Sequence, residues 1–206
     1  MGRFMASIYD LKPGFQALLR PLVRTLAVQG VSANQVTLFA VLLSFTAGGA
    51  VALNAEEPRV LLIIPVALAA RMALNAMDGM LAREHGMRTA LGAILNELGD
   101  VLSDIALYLP LVLFEGIEPA LVVLVVILGL LVEMVGIMAV QIGAERGYEG
   151  PMGKSDRAFA FGLIDLLLGM RWAPVYWVNY LFVLIAALLC LTMFNRAMSA
   201  LKQAGR

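Results

Sequence analysis

Histidine and cysteine are nearly missing from this chain: 206 residues contain one of each, His85 and Cys190. A single cysteine cannot close an intrachain disulfide, and Cys190 reads as a small apolar residue inside a helix. His85, the only histidine, falls in a loop and reads as a solvated residue. Charge is scarce too, at 15% of residues, and it sums to zero formally. No nucleic-acid partner is expected. Internal repeats, low-complexity tracts and Gly/Ser-rich linkers are all absent. The first thirty residues lack an uninterrupted apolar core and a cleavage-like site, so they do not read as a signal peptide.

What fills the chain instead is hydrocarbon. Hydrophobic residues make up 61% and mean hydropathy is +0.87, where a soluble domain has roughly 45–50% apolar residues. Apolar runs of about 20 residues, each long enough to cross a bilayer, recur throughout. The expected fold is all-α: a polytopic membrane protein with six transmembrane helices preceded by an N-terminal amphipathic interfacial helix. Spans are expected at 35–54, 60–82, 91–113, 119–141, 157–170 and 175–195. The whole of 1–206 then forms one membrane-embedded domain, with 1–30 as the interfacial helix and 31–206 as the six-helix bundle.

Twelve of the fifteen Lys and Arg fall on one side of this topology, with Arg59 and Arg171 on the other and Arg71 inside a span. The bias places both termini and the 83–90 and 142–156 loops in the cytoplasm. The expected location is a membrane crossed several times. Near the N-terminus, Ile8, Leu11, Phe15, Leu18, Leu19, Leu22, Val23 and Leu26 form an apolar stripe with Lys12, Gln16, Arg20 and Arg24 off it. That pattern suits a helix in the headgroup layer, or one packed on the rim of the bundle.

Against this background, residues 75–104 carry unexpected polarity. Arg71, Asn75, Asp78 and Ala82 share one face of the second span, and Gly92, Asn96, Asp100 and Asp104 share one face of the third. A short loop joins the two spans, so they are antiparallel neighbours. Ionisable groups at lipid depth are costly, and facing each other is the cheapest arrangement for the stripes. At 1.5 Å per residue the stripes lie about 10–15 Å from the cytoplasmic loop, where a soluble group and a lipid could meet. Gly79, Ala82 and Gly92 allow close helix approach. Carboxylates with oxygen-rich neighbours suit a hard divalent cation, Mg²⁺ or Mn²⁺, and Mg²⁺ commonly serves phosphates. Metal-assisted handling of a phosphate ester is one reading; a polar network that holds helix register is the other.

The same residues carry a family resemblance. Asn75-x2-Asp78-Gly79-x2-Ala82-Arg83-x8-Gly92-x3-Asn96-x3-Asp100 resembles the CDP-alcohol phosphotransferase signature D-x2-D-G-x2-A-R-x8-G-x3-D-x3-D, with six of eight positions matching. Ser32-Ala33-Asn34-Gln35-Val36-Thr37 is similar to that family's T-P-N-x-x-T entry motif, and Gly153-Lys154-Ser155 to its G-K segment. The likeness covers essentially the whole chain and is nearest to the YnbA-like bacterial branch. It implies a phosphatidyltransferase of phospholipid biosynthesis in the inner membrane of a bacterium. A phosphatidyl or similar group would pass from a CDP-linked donor such as CDP-diacylglycerol to an alcohol acceptor, releasing CMP, with one or two Mg²⁺ or Mn²⁺ ions. By position Asp78 would be a metal ligand and Asp100 both ligand and base. Asn34, Thr37, Gly79, Ala82, Arg83 and Gly92 would surround the CDP donor. The family also suggests a homodimer.

Two signature aspartates are Asn75 and Asn96 here. An amide oxygen can still meet a metal, but each change removes a negative charge, so a weakened two-metal or a single-metal site is expected. Asp104, one turn beyond Asp100, is the best compensating ligand. Lys154, Arg157 and Arg71 are candidates to grip an acceptor or lipid phosphate, with Arg71 also able to pair with Asp78, Asp104 or Glu133. Glu133 and Asp165 are expected to make helix–helix hydrogen bonds. The asparagines also admit an alternative: a catalytically impaired relative that binds CDP-lipid as a sensor or partner.

Overall fold

The computed structural model describes residues 8–205, with side-chain surroundings from Gly14 onward. Arg3 and Arg206, and the side chains of Ile8, Leu11 and Lys12, lie outside the described residues. Seven α-helices account for the described chain: α1 (Ile8–Val28), α2 (Ala33–Leu53), α3 (Ile63–Glu84), α4 (Ala90–Tyr108), α5 (Pro119–Gln141), α6 (Lys154–Gly169) and α7 (Tyr176–Ala204). Short 3₁₀ turns at Pro58–Leu62 and Leu109–Leu113 lead into α3 and out of α4. No strand occurs among the described residues.

Local sequence accounts for the helix ends. Ser32 and Gln35 cap α2 reciprocally: the Gln35 N–H donates to Ser32 Oγ (3.3 Å) and the Ser32 N–H to Gln35 Oε1 (2.8 Å). This capping box satisfies two amide groups that the first helical turn leaves without partners. Pro119 opens α5, where its missing N–H costs nothing. At α6 the Asp156 carboxylate reaches back to accept from the Gly153 N–H (2.9 Å).

Four segments are long and apolar enough to cross a membrane: Ala33–Leu53, Pro58–Glu84, Pro119–Gln141 and Tyr176–Ala204. The chain is therefore an all-helical protein with several candidate membrane spans. The other two expected spans differ for identifiable reasons. α4 carries Glu97, Asp100 and Asp104 within 19 residues, and α6 is only 16 residues long. The last helix also outruns the expected 175–195 boundary and stays helical to Ala204.

The chain divides into two compact units, Met1–Leu43 with Ala69–Asp100, and Ser44–Leu68 with Val101–Arg206. In the first, Val23 of α1 is fully buried among Ala33, Val36, Met77, Met80 and Leu81, with Leu19 and Leu26 beside it. Arg20 pairs with Glu84 at 3.0 Å. The apolar stripe of α1 is thereby divided, because Leu18 (75% exposed) and Leu22 point away from this cluster. In the second unit a larger core gathers around Tyr108, Phe161 and Phe182, where Tyr108 stacks on Phe161 at 3.9 Å between ring centroids. α5 packs along α7, and α6 packs on the 3₁₀ turn at Pro58–Leu62.

Close approach sets one glycine in this unit. A Cβ at Gly48 would run into the Ala106 carbonyl, so α2 and α4 meet there backbone to backbone. Gly48→Val should therefore lower the melting temperature in detergent, at a cost of about 1–3 kcal/mol for overpacking. Gly49→Val, which meets open space, should cost less, and thermal unfolding of the two variants checks the difference.

The 144–152 connection offers a pH test. The Glu149 carboxyl is held below the ordinary carboxylate range, first by its own backbone N–H, then by the Ser199 hydroxyl at 2.8 Å. A lowered folded value means stability that is present above the unfolded pKa of about 4.3 and lost as pH falls through the lowered value. Acid unfolding of Glu149→Gln should lack that component, with wild type and variant converging at the acid end.

Candidate active site

The polar stripes of α3 and α4 meet in the first unit. Asp78 is buried at 5% exposure and accepts from the Thr37 hydroxyl of α2 at 2.7 Å. Asp100 is half-buried and receives two groups from one face of α3. The Asn75 amide donates to its Oδ1 at 3.1 Å, and Arg71 Nη2 lies 3.4 Å from the same oxygen. Arg71 also donates to the Asp100 backbone carbonyl at 2.9 Å, so the guanidinium clamps both ends of the residue. Arg71 is itself 3% exposed, and Asp100 of the facing helix is one charge partner of its buried guanidinium.

The glycines shape the remainder. A Cβ at Gly92 would come within 2.6 Å of Asn34 Oδ1 and 3.0 Å of Thr89 Oγ1, so only glycine leaves room for those two side chains. Thr89 caps α4 by accepting from the Gly92 N–H at 2.9 Å, and Asn34 donates to the same hydroxyl at 3.4 Å. Arg83 folds back over Gly79, its guanidinium 3.1 Å from where a Cβ would lie. Ala82 and Asn96 are half-buried, and His85 is exposed as expected. Thr89 had no place among the expected site residues; its signal was the helix-cap position immediately after the loop.

The second unit holds a charged centre of its own. Glu133 of α5 is buried and accepts from Arg157 (3.1 Å), Arg146 (3.4 Å) and Arg196 (3.4 Å). Asp104 accepts from both Nε (3.3 Å) and Nη2 (2.9 Å) of Arg157. Gly129 and Gly136 lie on the same α5 face as Glu133, and the arginines fill the space a side chain would need. Arg157 passes 3.4 Å from a Cβ at 129, and Arg196 3.0 Å from one at 136. Gly129-x3-Glu133-x2-Gly136 was readable as one helix face. Arg146 and Arg196 were missed because their partner is remote in sequence.

A family model described as CDP-alcohol phosphatidyltransferase matches residues 30–197. The chain belongs to the CDP-alcohol phosphatidyltransferase family. It is 46% identical over 195 residues to the Escherichia coli inner membrane protein YnbA, covering 95% of this chain and 96% of that protein. It is 32% identical over 120 residues to the archaetidylinositol phosphate synthase of Aeropyrum pernix, covering 56% and 61%. In fold it resembles the Mycobacterium tuberculosis phosphatidylinositol phosphate synthase PgsA1, solved with CDP-DAG bound and with manganese and citrate. The TM-scores are 0.70 and 0.72, at 19% and 20% identity, over 87% and 90% of this chain and 92% and 90% of that one.

Within this phosphatidyltransferase signature, the described residues contain no group of three His, Cys, Asp or Glu placed to hold a metal. The donors present are two carboxylates and two amides, an all-oxygen set of the kind that suits a hard divalent cation. Asn75 uses its N–H on Asp100, a bond an aspartate could not donate. Two expectations change. Asp104, expected to compensate as a ligand, is paired with Arg157. Arg157, expected beside the cavity mouth, is 2% exposed and engaged by two carboxylates. Lys154 is half-buried at the start of α6. Asp165 reverses its expectation as well: it is fully buried, and neither carboxylate oxygen has a hydrogen-bond partner among the described residues.

These two buried acids should respond in opposite directions. Glu133→Ala strands buried arginines without their counter-charge and should cost about 3–5 kcal/mol. Asp165→Leu removes a polar group with no hydrogen bond to lose, and should leave stability unchanged or raise it. Melting temperatures of the two variants in detergent check both signs.

Proposed function

We propose that this chain transfers a phosphatidyl group from a CDP-linked lipid, CDP-diacylglycerol, to an alcohol acceptor, releasing CMP in phospholipid biosynthesis. The observation that supports it most is the convergence of signature side chains on Asp78 and Asp100, through Thr37 at 2.7 Å and Asn75 at 3.1 Å. In this reading the chain is a single six-span domain in a bacterial inner membrane, its site facing the cytoplasm, α1 lying in the headgroup layer, and it works as a homodimer.

The chemistry follows from the residues. Asp100, oriented by Arg71 and Asn75, accepts the proton of the acceptor hydroxyl as general base. The acceptor oxygen bonds to the phosphorus that carries the diacylglycerol. The bond from that phosphorus to the bridging oxygen breaks, and CMP leaves. Asp78, held by Thr37, would bind a divalent cation together with Asp100 and the amide oxygens of Asn75 and Asn96. When bound, Mg²⁺ or Mn²⁺ neutralises charge on the pyrophosphate and on departing CMP. Asn34, Thr37, Gly79, Ala82, Arg83 and Gly92 surround the donor, and Lys154, through its Gly153-Lys154-Ser155 segment, is the cation assigned to an acceptor phosphate.

A second reading draws on Asn75. Its amide and Arg71 both hold Asp100, an arrangement that equally suits a protein that binds CDP-lipid without turning it over. CMP release from CDP-diacylglycerol, Mg²⁺ or Mn²⁺ and a panel of alcohols separates the two. Turnover should fall by about 10²–10⁴-fold in Asp100→Asn and vanish on chelation of the metal. Metal-dependent donor binding with no CMP from any acceptor would sink the transferase reading. So would turnover that appears only in Asn75→Asp combined with Asn96→Asp.

A further inference from the structure

The signature residues leave the loops at the start of α3, α5 and α7 without a task, and those loops line a half-open cavity of about 600 Å³. That volume lies in the range of ligand pockets, roughly 300–1,000 Å³. Leu61, Phe114 and Ile117, all nearly fully buried, line it, and Glu56, Glu115 and Arg171, all exposed, supply its charge.

The walls are tied in place. Asn179 of α7 accepts from the Glu118 N–H at 2.8 Å and donates to the Gly116 carbonyl at 2.9 Å, fixing the 114–118 loop. Glu57 caps the Pro58–Leu62 turn by accepting from the Arg59 N–H at 3.3 Å.

Arg171 is the unusual member. α6 ends in a Schellman motif, with the Trp172 N–H bonded to the Leu167 carbonyl and the Arg171 N–H to the Leu168 carbonyl, both at 2.9 Å. Arg171 holds the left-handed position of that motif, at φ 57°. Glycine takes this position without strain, and an arginine does not. Its ion pair with Glu57 (3.3 Å) leaves both side chains more than half exposed, and such pairs contribute little. The ion pair therefore does not explain why an arginine stands there; a ligand for its guanidinium would.

We propose that this cavity binds one phospholipid whose headgroup carries a primary ammonium beside its phosphate. The ammonium meets Glu56 and Glu115, the phosphate meets Arg171, and the start of the acyl chains lies on Leu61, Phe114 and Ile117. Two lining carboxylates (Glu56 and Glu115) against one arginine that Glu57 already partners disfavour a purely anionic headgroup. A quaternary ammonium has no N–H to donate to them. Trp172, Tyr176, Trp177 and Tyr180, each 57–73% exposed, are the side chains that favour a membrane–water boundary, which argues for a lipid over a soluble amine. The proposal does not rest on transferase activity.

Both tryptophans of the chain, Trp172 and Trp177, belong to this region, so intrinsic fluorescence of the detergent-purified full chain reports on it. Titration with dihexanoyl phosphatidylethanolamine should give a saturable change. The choline and glycerol analogues should bind about tenfold more weakly, and free phosphoethanolamine should give no response. Arg171→Gly should keep or raise the melting temperature, because strain is relieved, and lose about tenfold in affinity; Glu115→Gln should weaken binding without unfolding. Equal response to all headgroups, tighter binding of the glycerol lipid, saturation by phosphoethanolamine alone, or unchanged affinity in both variants would each overturn the proposal.

Discussion

Removing a carboxylate from water costs several kcal/mol unless hydrogen bonds and opposite charge replace the lost hydration. The polar architecture of this protein follows from how that cost is met at each acid. Asp78 is answered by a hydroxyl, Asp100 by an amide and a guanidinium, and Asp104 and Glu133 by a shared arginine. Asp165 alone is buried without a hydrogen-bond partner among the described residues. The acids thus divide by environment: two gather the signature residues of a phosphatidyltransferase, and two others lock helices together through arginine.

That division explains Asn75 better than charge counting does. A third carboxylate beside Asp100 would need a cation or a proton to coexist with it. Asn75 instead contributes a donor, and Arg71 one turn earlier on α3 contributes the positive charge. Asp100 is consequently oriented by the protein's own side chains. Near α5 the same economy operates on a larger scale, where Gly129 and Gly136 give up side chains so that Arg157 and Arg196 can reach Glu133. Such a centre fixes helix register, because each guanidinium has a directional set of donors that one arrangement satisfies.

The two polar stripes were legible in the chain because helical periodicity is a local property. Arg71, Asn75 and Asp78 fall on one face whatever surrounds them, and a short loop compels α3 and α4 to be neighbours. Helix ends were legible for the same reason, as at Ser32 and Gln35, although the continuation of α7 to Ala204 was not. The pairings of Asp104, Arg157 and Glu133 were hidden. They join residues 24 to 53 positions apart, and an arginine side chain is long enough to reach several acids on different helices.

By itself the sequence determined that the chain is helical, that it is too apolar for water, and that a phosphatidyltransferase signature lies on one helix pair. These properties depend on composition, on the 3.6-residue repeat and on motif spacing, all of which are present before the chain folds. Only the tertiary structure decided which acid each arginine neutralises, that Asn75 serves as a donor to Asp100, and that Arg171 stands at the lip of a cavity remote from the signature in sequence. Those outcomes depend on distances of a few ångströms between helices. Such distances are set by which backbones can approach, as at Gly48 and Gly92, and by the need to pair every charge that packing removes from water.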